Sequence, residues 1–189
     1  PQIARELLSL VGMRAGIIDA GLPFLWTAYL RELRWELSRP GHETVVLPGV
    51  RELLVALESR DNDVVLGLLT GNIEAGAVLK LVSAGIATPF PVGAFGSDCE
   101  LRDGLPEIAA TRARAVTGRA FHGRQIVVIG DTPHDVTCGR ALDVHTLGVA
   151  TGRHDCAALR SAGAHHVFDD LTDTEAVLEV LLADGGGGD

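Results

Sequence analysis

The segment Val127-Val128-Ile129-Gly130-Asp131-Thr132-Pro133-His134-Asp135 constrains the fold more than any other part of the 189-residue chain. Its continuous β-branched run has the pattern of a strand buried on both faces. Gly130 breaks that run, and Pro133 suits the first turn of a helix. Strand, tight turn and helix in this order form one unit of a parallel sheet. Other stretches repeat it. Val64 to Leu69 reads as an apolar strand, Thr70-Gly71-Asn72 as a turn, and Ile73 to Ala84 as a helix with Gly85 as its stop.

The rest of the chain follows the same alternation. A helix is expected near Val50 to Ser59, a short strand at Val92 to Phe95, and a helix at Leu105 to Val116 with Pro106 in its first turn. Gln125 to Ile129 and Val144 to Val149 read as strands and Asp155 to Ala162 as a helix. His166 to Phe168 reads as a strand and Thr174 to Leu182 as the last helix. Strands alternating with helices predict an α/β fold: a three-layer, Rossmann-like parallel sheet with helices on both faces. Ligands of such sheets sit at the carboxyl ends of the strands. Residues 1–47 read differently, as helices that form a small helical cap. Ile3, Leu7, Leu8 and Leu10-Val11 suggest a short one. Leu22, Leu25, Trp26, Tyr29, Leu30, Leu33 and Leu37 suggest a second that begins near Pro23, its aromatic stripe serving helix packing. The expected organisation is a helical unit at 1–47, an α/β core at 48–184 and a glycine-rich flexible tail at 185–189.

A net charge of -9 argues against nucleic acid or an anionic membrane as partner. No apolar run approaches the roughly 18 residues that span a bilayer, and no secretion signal is visible. Cys99, Cys138 and Cys156 are widely spaced and fit neither a metal site nor a disulfide framework, which points to a reducing, cytoplasmic setting.

Two segments carry chemistry. Asp131 directly follows a strand and Asp135 lies near the start of the next helix. Carboxylates at that spacing converge on a hard cation such as Mg²⁺; the plainer alternative is that Asp131 caps the helix and Asp135 favours its dipole. Thr70-Gly71-Asn72 also follows a strand and opens a helix. A Thr hydroxyl with free backbone N–H groups there would cradle a phosphate, or the turn is simply a cap. His165 and His166 would point to opposite faces of a strand and so not share a metal. His134, between the two aspartates, would either tune the site or face solvent, the plainer reading.

The order Leu-Leu-Thr-Gly-Asn, then Val-Ile-Gly-Asp-Thr-Pro-His-Asp, resembles the second and fourth motifs of the haloacid dehalogenase superfamily. It is most similar to the phosphoglycolate-phosphatase-like members. Lys80-Leu81 through Gly85, and Gly148-Val149-Ala150-Thr151-Gly152, extend the likeness over nearly the whole chain, with the first helices resembling the family's inserted cap. The resemblance implies a Mg²⁺-dependent phosphatase acting on a small phosphorylated metabolite. An aspartate nucleophile would form an aspartyl-phosphate, and a second aspartate would act as general acid and base. Asp131 would be the direct metal ligand and Asp135 a ligand or an orienter through water. Thr70, with Gly71 and Asn72, would hold the phosphoryl group. The family's phosphate-binding lysine has no direct counterpart. Lys80, the only lysine, would stand roughly 10 Å up its helix, away from the strand ends. Arg102, in the loop before the helix at Leu105, takes that place, or pairs with Asp98, Glu100 or Asp103; Arg112 and Arg114 fit less well.

The family's first motif, Asp-x-Asp at the end of the central strand, is not in the sequence. Asp61-Asn62-Asp63 has the spacing but precedes its strand. The strands at Val64 and Gln125 would flank the missing one, leaving a gap of about 9.6 Å between unpaired edges. The expectation is a truncated copy whose nucleophile lies upstream. The alternatives are a non-catalytic phosphate-binding or interaction protein that has lost its nucleophile, and, more remotely, a dehalogenase. An in-frame apolar strand ending in Asp-x-Asp upstream of Pro1 would favour truncation.

Overall fold

A computed structural model describes residues 2–60, 63–139 and 142–183. Asp61, Asn62 and the glycine tail lie outside these. The order is α1 (Gln2–Leu10), α2 (Ala15–Leu37), α3 (Val50–Glu58), β1 (Gly67–Thr70), α4 (Glu74–Ser83), β2 (Val92–Phe95) and α5 (Leu105–Thr117). Then come β3 (Val127–Gly130), α6 (Pro133–Cys138), β4 (His145–Val149), α7 (Cys156–Ser161), β5 (His166–Phe168) and α8 (Thr174–Ala183).

All strand pairs are parallel, as the alternation predicts. Helices cover both faces, and β4 shows how. Leu147 and Val149 point into a cluster with Leu53 and Leu57 of α3 and Val177 of α8. Gly148, between them, faces the other way, against Leu159 of α7. A Cβ at Gly148 would stand 3.1 Å from that leucine, so the absent side chain lets α7 lie close to the strand.

The sheet is in two pieces among the described residues. β1 pairs with β2, and β3-β4-β5 form the other piece. No ladder joins β1 to β3. Side chains reach across instead: Leu69 packs on the cluster of Val128, Cys138 and Val144, and Val64 and Leu66 pack with Val127 on the larger cluster.

Three expected boundaries move. β1 begins at Gly67 rather than Val64. Its first partner is Val92, and one step earlier the partner is Pro91, which has no N–H to extend the ladder. β3 begins at Val127 because Gly123–Gln125 form a 3-10 turn. The second helix starts at Ala15, not near Pro23, which stands inside it. Ile18, 1% exposed, and the Arg5–Asp19 ion pair hold the turns ahead of the proline. The aromatic stripe is only partly a packing surface: Trp26 and Tyr29 meet edge-on, but the other tryptophan, Trp35, is exposed.

Candidate active site

The carboxyl ends of β1 and β3 bring several of the expected residues together. Thr70 closes β1. Its Oγ1 accepts a hydrogen bond from the Asn72 amide at 3.2 Å, so its own proton remains to donate elsewhere. The Ile73 amide donates to Asn72 Oδ1 at 2.9 Å, and the Glu74 amide to Ser97 Oγ at 3.4 Å. These three N–H groups at the start of α4 are therefore not free, as a bare phosphate cradle would require. Side chains satisfy them, because the donors of a helix's first turn have no carbonyl partner inside it. The loop offers the Thr70 hydroxyl and Asn72 Nδ2 as its side-chain donors.

Arg102 stands in a 3-10 turn just ahead of α5. One guanidinium nitrogen, Nη1, lies 3.5 Å from where a Cβ on Gly71 would be. The other, Nη2, donates to Asp135 Oδ1. Its Nε is buried without a hydrogen-bond partner among the described residues. Arg102 thus lies between the Thr70–Asn72 loop and α6.

Asp135 is 5% exposed and already engaged. Its Oδ2 accepts from the Thr132 amide at 3.0 Å and the Thr132 hydroxyl at 2.7 Å, while Thr132 Oγ1 caps the Asp135 amide at 3.3 Å. That is a reciprocal capping box. The cap of α6 is therefore Thr132, not Asp131. Gly130 permits the approach, since a Cβ there would stand 2.3 Å from the Asp135 Cβ.

Asp131 has no hydrogen bond or ion pair to any described residue. Gly152 leaves it room: a Cβ at that position would stand 2.2 Å from Asp131 Oδ2. Asp131 also lines a 180 Å³ cavity with Pro48, Val50, Thr151 and Leu171. No group of three His, Cys, Asp or Glu residues suited to a metal occurs among the described residues. The open carboxylate beside a glycine notch nevertheless fits Mg²⁺, which needs only one or two carboxylates and keeps several waters.

The remaining candidates fall away from this cluster. Lys80 is exposed in the last turn of α4. Arg112 grips Asp98 through two bonds of 2.7 and 2.8 Å, and holds that carboxyl below its ordinary range. Asp98 in turn accepts from the Phe95 amide, closing the end of β2. His134 is exposed, as expected. His165 and His166 do not diverge as strand alternation predicts, because His165 precedes β5. Both rings lie edge-on to His145, with centroids 4.4 and 5.1 Å away. A larger cavity of 760 Å³ lies at the opposite end of β1, under Val64 to Leu66, remote from Thr70.

Two contacts from the first helices were not legible in the sequence. Arg5 of α1 binds both oxygens of Glu100, two residues before Arg102, at 2.7 and 2.8 Å. The guanidinium holds the Glu100 carboxyl below its usual range. Tyr29 of α2 donates to Asn72 Oδ1 at 3.1 Å.

Residues 105–174 match the HAD-hydrolase-like family model. Among solved structures, the chain is similar to a phosphonoacetaldehyde hydrolase-like protein from Oleispira antarctica, with 19% identity and a TM-score of 0.66 over 99% of this chain and 74% of that one. A "predicted phosphatase" from Clostridium acetobutylicum gives 17%, 0.64, 95% and 78%. A β-phosphoglucomutase from Clostridium difficile gives 19%, 0.58, 73% and 57%. Several other similar structures are spanned over only 55 to 61% of their own length. No curated protein gives a significant match.

Proposed function

We propose that this chain, whose residues 105–174 match the HAD-hydrolase-like family model and whose fold is shared with similar solved structures, carries the metal- and phosphate-holding side of a Mg²⁺-dependent phosphatase for small phosphate monoesters. One observation carries the reading. The Thr70 turn, Arg102 and the Asp131–Asp135 turn meet at the carboxyl ends of β1 and β3.

The roles follow from what each group has left to give. The Thr70 hydroxyl and Asn72 Nδ2 donate to phosphoryl oxygens, and Arg102 supplies positive charge and a planar set of donors. Asp131 holds Mg²⁺, which when bound neutralises charge between enzyme and phosphate. Asp135, with its oxygens on Thr132 and Arg102, acts as an orienter rather than a direct ligand. The attacking carboxylate is not one of these residues. It belongs on a strand lying between the unpaired edges of β1 and β3, where the phosphoryl group would pass to it as the ester oxygen leaves. Residues 1–47 act as the substrate-selecting cap on a core at 48–184, and the protein works in the cytoplasm on a soluble phosphorylated metabolite.

The 189-residue chain itself is expected to bind Mg²⁺ and inorganic phosphate in calorimetry, without hydrolysing a generic phosphate monoester. Asp131→Asn should abolish Mg²⁺ binding. Turnover by the unmodified chain would reveal a nucleophile within it and sink this account. Binding of phosphate that is indifferent to Thr70→Ala and Arg102→Ala would remove the site.

A further inference from the structure

Asn72 occupies the middle of the turn between β1 and α4. Its Oδ1 receives the Ile73 amide at 2.9 Å. A backbone N–H can only donate, so the atom facing it is oxygen, and the side-chain amide cannot turn over without losing that bond. Tyr29 Oη lies 3.1 Å from the same Oδ1 and must therefore donate to it. Two donors on the oxygen leave Nδ2 with both its protons and no bond to any described residue. The Asn72 carbonyl accepts from the Gly96 amide at 2.8 Å, which pins the backbone as well. Gly76 makes the contact with α2 possible. A Cβ there would stand 2.7 Å from Asn72 Oδ1, 3.0 Å from Tyr29 Cε1 and 3.2 Å from the Tyr29 hydroxyl.

From this geometry we infer that Tyr29 is a positioning residue for phosphate binding. Its hydroxyl and the Ile73 amide together fix the plane of the Asn72 amide, so that Nδ2 is presented as a donor to a phosphoryl oxygen. The second helix thereby acts on the phosphate through Asn72, without touching the ligand. The inference rests on the reading of Thr70 to Asn72 as the phosphate loop.

The test is titration of inorganic phosphate, with Mg²⁺ present, into the 189-residue protein. Affinity is read by calorimetry and the Asn72 NH₂ signals by ¹⁵N NMR. Gln2, Asn62, Asn72 and Gln125 are the only side-chain amides, so Asn72→Ala assigns its signals by their loss. Wild-type protein is expected to bind phosphate and to shift those signals. Tyr29→Phe keeps the ring against Gly76 and removes only the hydroxyl; it should weaken binding by about 3- to 10-fold, the worth of one hydrogen bond. In an Asn72→Ala background the same substitution should cost nothing further, because its route to the ligand is gone. Equal affinity in wild type and Tyr29→Phe overturns the inference while leaving the phosphate loop standing. An equal loss with and without Asn72 overturns it too, since a merely structural tyrosine would behave so. A wild-type protein that binds no phosphate removes the loop reading, and the inference with it.

Discussion

Asp131 and Asp135 are four residues apart, yet their surroundings divide them. Asp135 is buried, accepts twice from Thr132 and pairs with Arg102. Asp135→Ala would break a capping box and strand a half-buried guanidinium, and is expected to cost about 2–3 kcal/mol, read from the urea midpoint. Asp131→Asn removes no bond to a described residue, and its stability should stay within about 0.5 kcal/mol of wild type. Equal losses in the two variants would show that the division is wrong. Cys138 is a second residue with a consequence. Burial, first of all, pushes its thiol up to about 11 from an unfolded value of 9.0. Between those values the unfolded chain ionises and the folded one does not. Its contribution is therefore whole below pH 9 and is lost as the pH rises towards 11. Denaturant melts across that window should show a fall in stability that Cys138→Ala reduces.

The elements owe their limits to neighbours that local pattern does not contain. Val64 to Leu66 have the composition of a strand, but Pro91 ends the ladder opposite them. Pro23 has the look of a helix start, but Ile18 is buried and Arg5 holds Asp19, so the helix runs through it. The turn before α3 shows the same dependence. Gly49 has φ of 78°, and a Cβ there would stand 1.9 Å from the Leu171 carbonyl carbon. This glycine lets the α3 turn lie against the chain just ahead of α8, where the two helices share a cluster. Gly49→Ala is expected to destabilise by about 2 kcal/mol or more, since strain and collision add. A melting temperature unchanged by that substitution would show that the contact is slack.

At the scale of the molecule, the divided sheet is the dominant feature. β4 is paired on both sides and all five of its residues are buried, whereas among the described residues β1 and β3 each present an edge with no ladder across it. Unpaired backbone edges open readily and invite other strands. Amide exchange should therefore be slowest in His145 to Val149 and faster in Gly67 to Thr70 and Val127 to Gly130. Equal protection in all three strands would mean that the edges are sealed. The Arg5–Glu100 and Tyr29–Asn72 contacts tie the first helices to both loops of the candidate site. Those helices otherwise bury little: among the described residues of α1 and α2, Ile18 alone is fully buried.

The α/β class, the order of nearly every element and the two strand-end turns were written in the sequence, because apolar period, glycine and proline act over a few residues. Val127 to Asp135 specified strand, turn and helix without help from elsewhere. The arrangement of the turns was not local. That Arg102 meets Asp135, that Asp131 stays open beside Gly152, and that Tyr29 meets the Asn72 side chain all depend on groups far apart in the chain. Such pairings are set by how helices and strands pack in three dimensions, and only the tertiary structure decides them.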